Sequence, residues 1–234
     1  LLKSSSPYFV IMPLFDLHCH TSRYSYDSRL DPEDLLEGLV EAGIDGAVIT
    51  EHNNLWPADE LDALLADSPY RNQLKIWAAQ EVRTHHQGCL LGDLLVYDVA
   101  QEFPDGTEID EVMAKVKEAE GFTIAAHIAA TPWGMGTRSG DFGLDAIEIL
   151  NSRYGKKHSA AAEAMLDDLY APCTGGSDAH DRRGVGLAAT KFPGSPADYS
   201  TLDDLKAAIR KRLVEPWEPP NQSIWSRFQK SLSS

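Results

Sequence analysis

The chain has 234 residues and a formal net charge of −15. That is long enough for a self-sufficient hydrophobic core, and acidic enough to disfavour extended nucleic acid and anionic membrane surfaces as partners. Its three cysteines are too few and too odd in number for a disulfide framework, which fits a reducing, cytoplasmic setting, and no run reaches the ~20 apolar residues of a membrane span.

Residues 1–11 read as a vector remnant or an upstream extension, because Met12 offers a natural start and no signal-peptide cleavage site follows the apolar patch. LFDLH (14–18) reads as a strand ending in His18. His20 follows on the same side, since residues i and i+2 of a strand point the same way. Asp27, in SYSYDS, reads by itself as a turn residue. DPEDLLEGLVEAG (31–43) reads as a helix. Asp31 caps it, Pro32 suits its first turn, Leu35, Leu36, Leu39 and Val40 form its apolar face, and Gly43 ends it.

DGAVIT (45–50) is a buried strand running into Glu51 and His52. LKIWAAQE (74–81) is a strand ending at Glu81, and CLLGDLLVY (89–97) is a further apolar strand. TEIDEVMAKVKEAEG (107–121) is a helix, and FTIAAH (122–127) is a strand ending in His127. LDAIEILN (144–151) is a strand ending in Asn151, followed by a helix over 158–170. APCTGGSDAH (171–180) is a strand that opens through a Gly-Gly turn to Asp178 and His180. A last capped helix covers 200–213. The alternation predicts an α/β protein with a mainly parallel sheet, as one domain over 12–215, followed by a Pro-rich tail over 216–234.

The chemistry-bearing residues share a position. His18, His20, Glu51, His52, Glu81, His127, Asn151, Asp178 and His180 all lie at or just past the C-terminal end of a predicted strand. In parallel α/β folds those ends converge on one face, where active sites are built. Five of the eight histidines sit there. Singly, each residue has an ordinary structural explanation; together they form a ligand set. Imidazole and carboxylate without a required thiolate suit Zn, Mn or Fe. More ligands than one tetrahedral ion can use implies two or three divalent ions, with a carboxylate such as Glu81 able to bridge two of them.

Taken in order, HCH (18–20), Asp27, EHN (51–53), QEVRT (80–84), AAH (125–127), EILNSR (148–153) and GGSDAH (175–180) resemble the PHP family, the polymerase and histidinol phosphatase superfamily. The resemblance covers roughly residues 14–191. It implies a distorted (β/α)7 TIM-like barrel with two or three metal ions at its C-terminal face, and it implies phosphoester hydrolysis. By motif match it makes His18, His20, Asp27, His52, Glu81, His127, Asp178 and His180 the metal ligands. The chain departs from the family pattern at Glu51, where Asp is frequent. It also departs after the glycine that follows the Glu81 position, where many members carry a ligand histidine. Here that glycine reads as Gly88 and the next residue is Cys89, with His85 and His86 just upstream as substitutes.

The expected activity is hydrolysis of a small phosphomonoester or phosphodiester by a metal-activated water, with Glu81, Asp178 and His180 nearest the chemistry. Asn151, Arg153 and Arg182 are the candidates for substrate contact. Alternatives are an exonuclease of the same superfamily acting on short oligonucleotides, and a metal-binding module without turnover.

Overall fold

The computed structural model describes residues 12–220; the readings of residues 1–11 and of most of the Pro-rich tail lie outside the described residues. In chain order the elements are β1 (Leu14–Cys19), α1 (Pro32–Ala42), β2 (Gly46–His52), α2 (Ala58–Asp67), β3 (Lys75–His86), β4 (Cys89–Tyr97), β5 (Thr107–Glu108), α3 (Ile109–Glu118), β6 (Phe122–Ala125), β7 (Ala146–Asn151), α4 (Gly155–Glu163), β8 (Cys173–Gly176), β9 (Ala189–Lys191), α5 (Leu202–Arg210) and β10 (Glu215–Trp217). The sheet runs β10-β9-β1-β2-β3-β4-β6-β7-β8, with β5 attached to β3. It curls until its far end returns to β1: Cys19 bridges Ala179, and the Asp178 N–H donates to the His18 carbonyl at 2.7 Å. This is a nearly closed, barrel-like α/β sheet of the distorted TIM-like kind.

The helix at Pro32 forms for the reasons its sequence carries. Asp31 accepts from the Glu33 N–H, Pro32 opens the first turn, and Gly43 takes the left-handed conformation at φ 71°. The helix expected over 158–170 instead begins at Gly155 and ends at Glu163.

The sheet is less parallel than the alternation predicts. β3 does not end at Glu81 but continues to His86, and β4 returns antiparallel to it and to β6. The cause is local. Gln87 and Gly88, with φ of 55° and 75°, make a two-residue loop with both residues left-handed, the geometry of a tight hairpin. A Gln-Gly turn is a weaker sequence signal than Asn-Gly or Asp-Gly, so the hairpin was not predicted.

Two irregularities aim the site. Between Asp16 and Cys19 the pairing with β2 slips by one residue, so Phe15 and His18, three apart, are both directed inward. β7 slips in the same way between Glu148 and Leu150, which brings Glu148 and Asn151 to one side. Cys19 packs on the opposite face, against Leu30, Leu35 and Ile49.

Phe15, Leu17, Val48, Ala79, Leu95, Tyr97 and Ile124 form one cluster with Leu205 and Ile209 of α5. They come from five strands of one sheet, which meet only across the hollow of a curved sheet. Apolar packing and α5 thus close one end of the barrel and leave the other end for polar side chains.

The two glycines of GGSDAH end β8 rather than form a turn. A Cβ at Gly176 would lie 2.5 Å from His18 Cβ and 2.6 Å from Glu148 Oε1. Gly176→Ala should therefore destabilise the metal-free protein by about 1–3 kcal/mol, the usual cost of overpacking. Urea denaturation measures this, and an unchanged midpoint would show that the close approach has no energetic weight.

Candidate metal centre

At the open end of the barrel the strand ends bring His18, His20, Glu81, His127 and Asp178 together as buried groups. His18 Nε2 and His20 Nε2 face each other at 3.1 Å. Glu81 reaches both histidines, at 3.4 Å from His18 Nε2 and 3.3 Å from His20 Nε2, and its Oε1 lies 2.9 Å from His127 Nε2. Asp178 Oδ1 lies 3.4 Å from His20 Nε2 and 3.3 Å from His180 Nδ1. Nearer the surface, Asp27 Oδ1 is 3.3 Å from His52 Nε2 and Asp27 Oδ2 is 3.4 Å from His180 Nε2. His52 Nδ1 also meets Glu81 Oε2 at 3.0 Å.

These contacts define three overlapping sets able to hold an ion: His18, Glu81 and His127; His18, His20 and Asp178; and His20, His52 and His180. His127 and Asp178 adopt φ of 29° and 52°, a strained region for residues with side chains. Each turns the chain sharply after its strand and drops its side chain into the site.

The centre is held by carboxylates that are not in the predicted ligand set. Buried Glu148 lies 3.1 Å from His18 Nδ1, and it accepts from the His127 N–H at 2.8 Å and from Asn151 Nδ2 at 3.0 Å. A neutral His18 ring with its Nδ1–H directed at Glu148 would present the Nε2 lone pair towards His20. Two imidazole nitrogens at this separation, ringed by Glu81 and Asp178, fit a cation as their shared partner. Glu148 is legible in hindsight: it is a carboxylate inside the apolar run AIEILN, the same signal that Glu81 gives in IWAAQE.

Arg153 does reach the site. It is part-exposed, 3.7 Å from Asp27 Oδ2 and 3.9 Å from Asp178 Oδ1. Asn151 is fully buried and bonded to Glu148 and Asp178, so it braces ligands rather than meeting substrate. Arg182 is corrected outright. Its guanidinium lies over Gly38 of α1 and pairs with Glu41 at 2.5 Å, on the outer helical layer. Cys89 is exposed at the hairpin tip. His85 and His86 stand four and five residues beyond Glu81 along β3, ~13 Å or more away at the usual rise of a strand. None of the three joins the cluster.

The residue that does approach on β4 is Asp93, directly after Gly92. Its Oδ2 is 3.8 Å from His127 Nε2, and Arg83 holds it through two bonds of 3.0 and 3.2 Å. The Arg83 guanidinium in turn stacks on Trp133 at 3.9 Å. Together with Tyr26, Tyr154 and Arg153 these groups wall a cavity of 270 Å³ over the cluster. A wider groove of 720 Å³, beside Trp56 and Tyr70, contains none of the clustered residues.

In the metal-free protein burial raises the Asp178 and Glu81 carboxyls, but the surrounding histidines overcome it and hold both below the ordinary range. Burial, with His20 nearby, lowers His180 to about 4, so its ring is neutral near pH 7. Burial opposes charge on His52, yet Asp27 and Glu81 pull it up to about 10. Burial and the nearby carboxylates of Asp178 and Glu81 raise the Tyr154 phenol to about 12.

Residues 16–130 match the PHP domain and residues 158–214 match the PHP-associated domain. An uncharacterized protein of Methanocaldococcus jannaschii is 26% identical over 167 residues, 66% of this chain and 92% of that protein. Among solved structures, a candidate metal-dependent phosphoesterase of Bifidobacterium adolescentis is similar at a TM-score of 0.58 and 16% identity, over 86% of this chain and 96% of that one. PfuEndoQ, a lesion-specific endonuclease from Pyrococcus furiosus, is similar at a TM-score of 0.53 and 16% identity, over 86% of this chain and 56% of that one. At those identities the two structures speak for the fold alone.

The folded value of His52 lies above the ~6.5 of an unfolded imidazole. Its charged ring therefore stabilises the metal-free protein fully below about pH 6.5, and that contribution is lost as pH rises through about 10. Urea titrations of metal-free protein should show unfolding free energy falling from about pH 7 to about pH 10, with a shallower fall in His52→Gln. Equal slopes in the two proteins would count against His52 as a source.

Proposed function

This chain belongs to the PHP family, and we propose that it is a metal-dependent phosphoesterase acting on a small phosphomonoester or phosphodiester. One observation carries the reading. The Nε2 atoms of His18 and His20 converge at 3.1 Å, with Glu81 and Asp178 beside them. Two or three divalent ions of the Zn, Mn or Fe type fit this donor set, held by His18, His20, Asp27, His52, Glu81, His127, Asp178 and His180. Such ions supply an acidified water and positive charge for the phosphate oxygens.

The remaining groups set up the reaction. Arg153 spans Asp27 and Asp178 at the mouth and offers a guanidinium to the incoming phosphate. Neutral His180 presents a lone pair without first losing a proton. Tyr154 lines the cavity and keeps its hydroxyl proton at physiological pH, so it is available there as a hydrogen-bond donor. Glu81 and Asp178 hold the negative charge that fixes the cations. The cavity of 270 Å³ suits a small ester. The net charge of −15 opposes a long nucleic-acid strand, so the endonuclease likeness is carried no further than the fold.

Protein reconstituted with Mn or Zn should carry two or three ions per chain and hydrolyse p-nitrophenyl phosphate or its bis ester. His18→Ala and Asp178→Ala should each cost roughly 100-fold or more in turnover while the chain stays folded. Arg153→Ala should raise KM about tenfold, the worth of one charged hydrogen bond. Arg182→Ala should change neither constant. A reconstituted wild-type protein with no turnover on any phosphoester would refute the catalytic reading.

A further inference from the structure

His18 and His20 are both buried, but their Nδ1 atoms are held differently. His18 meets a carboxylate directly, through Glu148. His20 meets none: its Nδ1 lies 3.2 Å from the Ser25 hydroxyl. That hydroxyl donates to Glu51 Oε2 at 2.5 Å and accepts from the His52 backbone N–H at 3.1 Å.

We propose that Ser25 is a positioning residue that relays buried Glu51 to His20, pinning the ring proton on Nδ1 and leaving Nε2 as the bare metal-ligating atom.

The inference rests on the metal-centre reading and follows from counting donors and acceptors. Ser25 has one O–H and two lone pairs. Glu51 receives the Thr21 N–H at 3.1 Å, the Thr21 hydroxyl, Trp56 Nε1 at 2.8 Å and the Ser25 hydroxyl. The Thr21 N–H and Trp56 Nε1–H are obligate donors, and a carboxylate has no proton to give, so the Ser25 proton points at it. The His52 N–H takes one lone pair of Ser25. The other can be filled only by a donor, and the group facing it is His20 Nδ1–H.

Without the relay the opposite arrangement is favoured. On its far side His20 Nε2 faces Glu81 Oε2 at 3.3 Å and Asp178 Oδ1 at 3.4 Å. Both carboxylates would draw the single proton of a neutral ring onto Nε2 and block the atom that must bind metal. Ser25 also receives the backbone of His52, so one hydroxyl sets the ring of one ligand and the main chain of another. Glu51 is where the chain departs from the family's frequent Asp, and the longer side chain is the one that reaches Thr21, Ser25 and Trp56 together.

The test compares wild type with Ser25→Ala and with Ser25→Cys, which keeps the volume but is a weak acceptor. Two-bond proton–nitrogen NMR reads the His20 tautomer in metal-free protein, at a pH where the ring is neutral. Chelator competition reads Zn affinity, and thermal melting of metal-free protein reads the fold. The expected result is Nδ1–H in wild type, a shift to Nε2–H in both variants, and a 10- to 100-fold loss of Zn affinity, the usual effect of removing an outer partner of a metal-bound histidine. The Cys variant should melt within a few degrees of wild type; if Ala does not fold, Cys decides. Nε2–H in wild type, an unchanged tautomer in the folded variants, or unchanged Zn affinity would each overturn the relay. A wild type that binds no Zn refutes the metal-centre reading, while its tautomer still judges the relay.

Discussion

Three donors meet on one buried carboxylate, and the order of the site depends on it. Glu148 takes the His18 ring, the His127 N–H and the Asn151 amide, and Asn151 passes the support on to Asp178 at 3.2 Å. His127 and Asp178 both carry left-handed backbone, a conformation costing on the order of 1–3 kcal/mol for residues with side chains. Each is retained because bonds to a fixed group over-determine it. The same carboxylate explains two local features that look unrelated. The slip in β7 turns Glu148 and Asn151 to one side, and Gly176 lacks a Cβ where Glu148 Oε1 needs the space.

The centre is graded from closed to open. His18 is fully buried, Glu81 and His127 are nearly so yet reach the floor of the cavity, and Asp27 is one-third exposed and meets His52 and His180 at the rim. The rim set borders the cavity, beside Arg153 and Tyr154, where a substrate must enter. Glu81 joins the deeper and shallower parts of the cluster, because it touches histidines of both.

Most of this was legible in the sequence, for a physical reason. Histidines and carboxylates that end apolar strands can only face one another once the sheet curls, so the positions of His18, His127 and Asp178 in the sequence already point to the site. What stayed hidden depended on registers and turns. Gln87-Gly88 folds β3 back on itself, which strands Cys89, His85 and His86 at a hairpin tip and brings Asp93 to the place the sequence assigned to Cys89. Arg182 follows the DAH motif closely, yet it is drawn off by Glu41 on α1, a long-range partner that no local pattern announces. Ser25 carries no local signal in the sequence, because its partners, Glu51 and His52, lie at the far end of the following helix and strand.

The carboxylates at the site are balanced by imidazoles as well as by arginines. Asp27, Glu81, Asp93, Glu148 and Asp178 crowd the end of the barrel in a chain of net charge −15. The two guanidiniums nearby are partly committed, Arg83 to Asp93 and Arg153 between Asp27 and Asp178. In the side-chain cluster itself the charged ring of His52, held against burial up to a pKa of about 10 by Asp27 and Glu81, offsets a further part of that negative charge. Divalent ions held by His18, His20, Glu81 and Asp178 would add positive charge where the carboxylates converge and would relieve Arg153 of its share in neutralising Asp27 and Asp178. The carboxylates that make this end of the barrel acidic are thus the same ones that a cation cluster would need at its centre.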